Sequence, residues 1–150
     1  LPDSVFTSND IKRYHRVEEL LAVCDFVSLH LPLTPLTEGI INAKTLACMK
    51  PTAYLINISR GALINEDDLY DALANGRLAG AGLDVLCKEP PSGINKLANL
   101  PNVIITPHAA WNSEEALPEL RTKAATEISL FLRGLTPCYV LNKHLLEQPV

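Results

Sequence analysis

Short apolar runs alternate with amphipathic segments along most of the chain. The apolar runs predict buried strands over 25–31, 53–58, 80–85 and 103–106. Apolar positions three and four residues apart predict helices over 16–23, 43–49, 66–75 and 113–134. This alternation of strand and helix is typical of an α/β fold built on a parallel sheet.

The ends of the predicted helices carry the residues that helix caps require. Asn42 and Asn65 stand at helix starts, where an asparagine side chain accepts hydrogen bonds from free backbone N–H groups. Acidic residues fill 66–68, and negative charge is favoured at that end of the helix dipole. Gly76 is the predicted left-handed residue after the same helix. We expect Pro118 to delay or kink the last helix.

Composition excludes several classes of protein. The chain has 150 residues, with 13 basic and 17 acidic side chains and a net charge of −4, which argues against nucleic-acid binding. The basic cluster of Lys12, Arg13 and Arg16 is interpreted as solvated surface. No apolar run approaches the roughly 20 residues of a membrane span, and the N-terminus lacks a signal-peptide pattern. It also lacks an initiating methionine, so we expect a processed or incomplete chain.

Four cysteines are scattered without a C-x-x-C pair or a histidine at ligand spacing. Cys24, Cys48, Cys87 and Cys138 each lie in or beside an apolar stretch. The pattern predicts buried free thiols, no metal site and a reducing, cytoplasmic location.

Candidate chemistry follows the predicted strands, where open α/β sheets bind their ligands. His30, the turn 59–61, the segment 84–89 and His108 come after successive strands. Arginine is suited to hold a carboxylate because its planar guanidinium donates two parallel hydrogen bonds. Histidine can supply a proton near neutral pH, and a carboxylate behind it would favour the protonated ring. Reduction of a keto acid requires such a set.

Each of these residues also has an ordinary structural interpretation. Arg60 could be a surface ion-pair member, Asp84 could cap a turn, and Glu89 could be a loop carboxylate. His108 could be a satisfied, partly buried histidine, and a structural role for His30 is equally open. The residues alone do not decide between the functional and the structural interpretation. We assign no role to the two remaining histidines, His15 and His144.

Four motifs, in this order along the chain, resolve the choice: DFVSLHLPLTPLTEGIIN, LINISRGALINEDDL, GRLAGAGLDVLCKEP and PNVIITPHAAWNSEEA. They resemble the D-isomer-specific 2-hydroxyacid dehydrogenases continuously from about Val17 to about Asn142. The resemblance implies a Rossmann-like parallel sheet and hydride transfer between NAD and a small 2-keto or 2-hydroxy acid. It leaves NADP open as the cofactor, and it implies a homodimer.

The resemblance also implies roles for single residues. Arg60 matches the arginine that holds the substrate carboxylate, Glu89 the catalytic glutamate, and His108 the acid/base histidine. Asp84 matches the aspartate that binds the nicotinamide carboxamide. The full set implied to bind cofactor is His30, Leu31, Pro32, Ile58, Ser59, Arg60, Asp84, His108 and Ala110. The chain departs from the family at LCKEP, which lacks the usual aromatic residue after Asp-Val, and this departure could alter substrate fit.

No G-x-G-x-x-G motif occurs in the sequence. We therefore expect residues 1–150 to be the C-terminal part of an NAD-binding domain whose sheet is incomplete, with a long helix at 113–134. We expect an unpaired apolar sheet edge, and we expect this chain alone to bind NAD weakly and to turn over nothing. Two alternatives remain: an inactive fragment, or a transcriptional corepressor of the C-terminal-binding type, which HAAW followed by Ser-Glu also resembles.

Overall fold

The structure, a computed structural model, describes Phe6, residues 11–91 and residues 93–142. His144 lies outside the described residues. The chain divides into two compact units, Leu1–Ala110 and Trp111–Val150. The elements of the first unit are, in order, α1 (Val17–Leu21), β1 (Phe26–Leu29), α2 (Ala43–Leu46), β2 (Tyr54–Asn57), a 3₁₀ helix (Gly61–Leu63), α3 (Glu66–Ala74), β3 (Gly80–Leu83), a second 3₁₀ helix (Lys96–Asn99) and β4 (Val103–Ile105). The second unit contains α4 (Ala116–Leu132).

The four strands form one parallel sheet in the order β1-β2-β3-β4. Leu29 pairs with Asn57, Asn57 with Leu83, and Leu83 with Ile105, so the carboxyl ends of the strands are level. The predicted α/β fold with a parallel sheet is confirmed. Each strand is shorter than predicted, because the residues that flank it belong to the adjoining turns, where backbone pairing soon ends. β1 is one edge of the described sheet, as expected.

The core lies on one face of the sheet. Val27, Leu29, Leu55 and Leu83 belong to a single buried cluster with residues of α1, α2 and α3, such as Leu69. Complete burial of a leucine side chain contributes about 1.5–3 kcal/mol. The predicted buried strand at 25–31 is buried on one face only, because alternate side chains of β1, such as Phe26, point away from this cluster and are exposed.

On the opposite face, Phe26 and Tyr54 are both exposed and stack with ring centroids 5.5 Å apart. Gly80 lies beside this pair, and a Cβ there would come within 2.9 Å of the Tyr54 ring and 2.8 Å of the Asn102 carbonyl oxygen. The small residues of β3 therefore allow the close packing that the sequence predicted.

The predicted caps are present. Asn42 accepts from the N–H groups of Lys44 and Thr45, and the Thr45 side chain accepts in return from the Asn42 N–H. Asn65 caps α3 in the same way, accepting from Asp67 and Asp68. Both caps hold the entry of a helix beside the sheet.

The predictions for Gly76 and Pro118 both agree with the structure. Gly76 has a φ of +66°, in the left-handed region expected after the helix that ends at Ala74. α4 begins at Ala116, later than the predicted start at 113, with Pro118 in its first turn. A missing N–H costs little there, since first-turn N–H groups have no helical partner.

The second unit consists of α4 and the segment that follows it, described as far as Asn142. The Glu127 carboxylate accepts hydrogen bonds from the N–H groups of Cys138, at 3.1 Å, and Tyr139, at 2.9 Å. This anchors the segment to its own helix. The predicted apolar stripe, which includes Leu120 and Phe131, is exposed, and no residue of α4 is buried.

The cysteines are free thiols, as predicted, but the prediction that they are buried is wrong. Cys24 and Cys48 are half-buried, whereas Cys87 and Cys138 are exposed. All four lie outside the strands, where apolar neighbours in the sequence do not enforce burial. Within the part of the chain that the structure describes, no helix has the length and apolar character required to cross a bilayer.

Candidate active site

The level carboxyl ends of the strands place the candidate residues along one edge of the sheet. Asp84 directly follows β3, and its N–H donates to the Asn57 carbonyl at 2.9 Å, at the end of β2. Thr106 follows β4, and its N–H donates to the Leu83 carbonyl at 3.0 Å. The ladder therefore continues one residue into the turns and fixes their starting points.

Glu89 and His108 form a hydrogen-bonded pair across this edge. Glu89 Oε2 lies 2.7 Å from His108 Nδ1, and Glu89 Oε1 accepts from the Leu86 N–H at 2.7 Å. The bond from His108, followed by the bond from Leu86, lowers the pKa of the Glu89 carboxyl against the opposing effect of burial. An ionised carboxylate only accepts hydrogen bonds. Nδ1 of His108 therefore carries the shared proton.

His108 sits in a turn with a strained backbone. Its φ is +54°, in the left-handed region that residues other than glycine adopt rarely, and its N–H donates to the Thr106 carbonyl at 3.0 Å. Strain of this kind persists only where the surroundings enforce it, and it is frequent in active sites.

The side chain of Asp84 holds the His108 turn in this conformation. Its carboxylate accepts from the Thr106 hydroxyl at 2.5 Å and from the N–H groups of Ala109 at 2.9 Å and Ala110 at 2.8 Å. Burial alone would raise the pKa of Asp84, but the three hydrogen bonds outweigh it and lower the pKa. Asp84 therefore holds the turn that follows β4, on the neighbouring strand, and not the turn that directly follows it in the sequence. A carboxylate has about four acceptor positions, so one position on Oδ2 remains for a further donor.

Asn57 is a site residue that the sequence reasoning missed. Its side chain is 0% exposed, and its Nδ2 donates to the Arg60 carbonyl at 2.9 Å. Its Oδ1 accepts from both the N–H and the hydroxyl of Ser59, at 3.1 Å each. Asn57 therefore shapes the turn that presents Arg60. The available signal was an amide residue in an otherwise apolar strand, directly before the Ser-Arg-Gly turn.

Arg60 projects from that turn with an exposed side chain. Its Nη1 donates to the Ser59 carbonyl at 2.7 Å. The next residue, Gly61, packs so closely on the loop after β3 that a Cβ there would fall 2.0 Å from the Leu86 carbonyl carbon. The arginine turn and the loop carrying Glu89 are thus in direct backbone contact, which restricts this position to glycine.

A cavity of about 390 Å³ adjoins the hydrogen-bonded pair of Glu89 and His108. This volume is within the range typical of small-molecule sites. Its lining is Asp84, Leu86, Glu89, Pro90, Pro91, Ile105, Thr106, Pro107 and His108. Three of the predicted site residues, Asp84, Glu89 and His108, are among the described residues that line this cavity. Arg60 is outside the lining.

The other predicted cofactor residues follow the neighbouring strands. His30 comes after β1, and its Nε2 lies 3.0 Å from the Ser28 hydroxyl. Leu31 and Pro32 continue that turn and are exposed, as is Ile58 after β2. These residues follow β1 and β2 at the same edge of the sheet as Arg60.

Comparison with known proteins gives a family match over residues 2–110, described as D-isomer specific 2-hydroxyacid dehydrogenase, NAD binding domain. The chain is 45% identical over 135 residues to a hydroxypyruvate reductase of Blautia hydrogenotrophica, which covers 90% of the chain and 42% of that protein. It is also 41% identical over 128 residues to C-terminal-binding protein 1 of Caenorhabditis elegans, covering 84% of the chain and 18% of that protein.

A solved structure agrees with these matches. The NAD-complexed D-isomer specific 2-hydroxyacid dehydrogenase of Lactobacillus delbrueckii ssp. bulgaricus superimposes with a TM-score of 0.77 and 38% identity. The match covers 83% of the chain and 42% of that structure. The chain thus spans about two fifths of the length of the hydroxypyruvate reductase and of this solved dehydrogenase.

Proposed function

The chain belongs to the D-isomer specific 2-hydroxyacid dehydrogenase family, and from this membership we propose that the protein carrying it transfers a hydride between NAD(H) and a small 2-keto or 2-hydroxy acid. The observation that carries the proposal is the Glu89–His108 pair beside a cavity of ligand size. A histidine held by an ionised carboxylate is suited to move one proton to or from a substrate oxygen.

The donors and acceptors at the sheet edge fit a dinucleotide. The open acceptor position on Asp84 Oδ2 suits an amide N–H₂ group, as the nicotinamide carboxamide presents. Leu31, Pro32 and Ile58 offer exposed apolar surface for flat rings, and Ser59 and Ala110 follow β2 and β4 in the sequence. When bound, NAD(H) supplies or accepts the hydride. We assign cofactor binding to these residues together with His30, Arg60 and His108.

The chain's own residues perform the remaining steps in this proposal. Arg60 holds the substrate carboxylate by paired hydrogen bonds, which fixes the carbonyl oxygen toward His108. His108 gives a proton from Nε2 to that oxygen during reduction and takes it back during oxidation. Glu89 stays ionised, keeps the proton on Nδ1 and stabilises the charged ring.

The test of this function is turnover by the complete protein. We expect oxidation of NADH, measured by its loss of absorbance, with hydroxypyruvate, glyoxylate or pyruvate as acceptor. NADPH in parallel assays tests the cofactor choice. Nucleotide binding without turnover of any 2-keto acid would overturn the dehydrogenase proposal and favour the corepressor function instead.

We further propose that the complete protein is a cytoplasmic homodimer, with residues 1–150 as the C-terminal part of its NAD-binding domain and the helix at 113–134 included. Family membership and the free thiols support this. Light scattering of the complete protein tests the dimer, and a monomeric mass at micromolar concentration would contradict it.

The charge on Glu89 has a testable consequence for pH dependence. Its lowered pKa keeps it ionised at neutral pH, so a full negative charge lies 2.7 Å from His108 Nδ1. We expect Glu89→Gln to preserve the hydrogen bond but lose the charge. The pH above which kcat/KM for keto-acid reduction declines should therefore move lower. The measurement is a pH profile of kcat/KM against Glu114→Gln, an exposed carboxylate, and an unchanged profile in Glu89→Gln would contradict the pairing.

A further inference from the structure

The loop that carries Glu89 has little hydrophobic support. It runs from Leu86 to the second 3₁₀ helix, and none of the described residues 87–91 and 93–96 is buried. Ile94 is 86% exposed, and Leu97 is the next fully buried side chain. Apolar packing within the loop therefore does not fix the position of Glu89.

A carboxylate on α3 ties this loop down at both ends. Glu66 Oε1 accepts from the Cys87 N–H at 2.7 Å, and Glu66 Oε2 accepts from Asn95 Nδ2 at 3.1 Å. Asn95 in turn accepts from the Leu97 N–H at 2.9 Å and so caps the 3₁₀ helix. The Glu66 side chain thus connects both the start and the end of the loop to the first turn of α3.

The two neighbouring carboxylates on the same helical turn have other partners. Asp67 pairs with the Lys96 ammonium at 2.6 Å, and its side chain is largely exposed. Asp68 accepts from the Ala43 N–H at 2.8 Å. All three share the favourable field of the helix N-terminus. The contact with the backbone of the loop distinguishes Glu66 from both.

We propose that Glu66 is a positioning residue for the acid–base pair, because it holds the loop in the conformation that brings Glu89 to His108. Glu66 touches neither member of the pair and acts through the Cys87 backbone, two residues from Glu89. This inference rests on the proposed dehydrogenase function for its kinetic part only. The placement of Glu89 can be measured without turnover.

Cys87 contributes a second, weaker attachment at the same point. Its thiol lies 3.4 Å from the Ile64 carbonyl oxygen. Although Cys87 as a whole is exposed, its thiol is partly withdrawn from water, and this desolvation, followed by the charge of Glu66, raises the pKa of the thiol to about 11. The thiol therefore stays protonated at neutral pH and remains a donor to Ile64.

The test compares Glu66→Ala, Glu66→Gln and Asp67→Ala in the complete protein. Glutamine keeps an oxygen that can accept from Cys87, whereas alanine removes it. Asp67→Ala is the matched control, since it removes a carboxylate from the same helical turn and leaves the loop backbone contact intact. The readouts are amide hydrogen exchange at Leu86 and Cys87, and kcat and KM for NADH-dependent keto-acid reduction.

The Leu86 amide is the informative probe, because it is bonded by Glu89 and not by Glu66. In Glu66→Ala we expect both amides to lose protection and kcat to fall about 10- to 100-fold, as for other small displacements of catalytic groups. KM for NADH should stay within about twofold. Glu66→Gln should restore most of the protection and most of kcat, and Asp67→Ala should resemble the wild type.

Two results would overturn the positioning role. One is wild-type protection of the Leu86 amide in Glu66→Ala. The other is equal loss in Glu66→Ala and Asp67→Ala, which would indicate general destabilisation of α3. If the wild type itself reduces no keto acid, the proposed function fails, but the exchange of the Leu86 amide still decides the role of Glu66.

Discussion

Replacing His108 with alanine is expected to lower kcat for keto-acid reduction by about 10²- to 10⁴-fold in the complete protein, the usual contribution of a positioned general acid. The substitution removes the group that would protonate the substrate oxygen, and it leaves the ionised Glu89 without its partner. The measurement is steady-state NADH oxidation with the best keto-acid substrate. KM for NADH is expected to change much less than kcat, because the lost interaction is strongest in the transition state.

His15→Ala is the matched control for this prediction. His15 is exposed and has no assigned role, so its variant should keep wild-type kinetics. Alanine at 108 should also be tolerated poorly by the backbone, since φ is +54° there. His108→Asn therefore provides a second variant, because asparagine adopts left-handed φ more readily. If His108→Asn folds and retains wild-type kcat, the acid/base assignment is wrong.

The second large effect is expected for Arg60→Lys, which should lower kcat/KM for the keto acid on the order of 10²-fold. That loss corresponds to roughly 2.7 kcal/mol of transition-state stabilisation. Lysine keeps the positive charge but cannot donate two parallel hydrogen bonds to a carboxylate. The turn itself should survive, because Asn57 bonds the backbone carbonyl of residue 60 and not its side chain. Kinetics at several keto-acid concentrations separate binding from catalysis.

Arg77→Lys is the control, since Arg77 is an exposed arginine that follows α3, whereas the turn 59–61 that carries Arg60 precedes it. It should leave kcat/KM unchanged. Retention of near wild-type kcat/KM in Arg60→Lys would show that Arg60 does not clamp the substrate. The structure makes this a demanding test, because the guanidinium donates to the Ser59 carbonyl and would have to turn toward the substrate.

The sequence predicted the sheet and its helices because their signals are local. Apolar residues at strand spacing, Asn42 and Asn65 at helix starts, and Gly76 after a helix each act through nearest neighbours in the chain. Element ends were less accurate. Backbone pairing between strands, which depends on distant residues, decides where a strand stops.

The predicted buried strand at 25–31 is buried on only one face for a related reason. An apolar run identifies a strand that prefers burial, but it does not show whether one face of the sheet or both faces will be covered by other elements. In the first unit the buried cluster lies on one face, so Val27 is buried while Phe26 is exposed. The exposure of the stripe on α4 has the same origin, because helical spacing shows which side is apolar and not what packs against it.

The sequence by itself determined the family and the parallel sheet, and it named Arg60, Glu89 and His108 as candidates, since motifs and periodicity are written in consecutive residues. The tertiary structure alone decided how these residues are held. The Glu89–His108 bond spans 19 positions, the Asp84 bonds to the His108 turn span 22 to 26, and the Glu66 bonds to the loop span 21 and 29. Hydrogen bonds of that span depend on strand register and loop path, which no local pattern in the chain specifies.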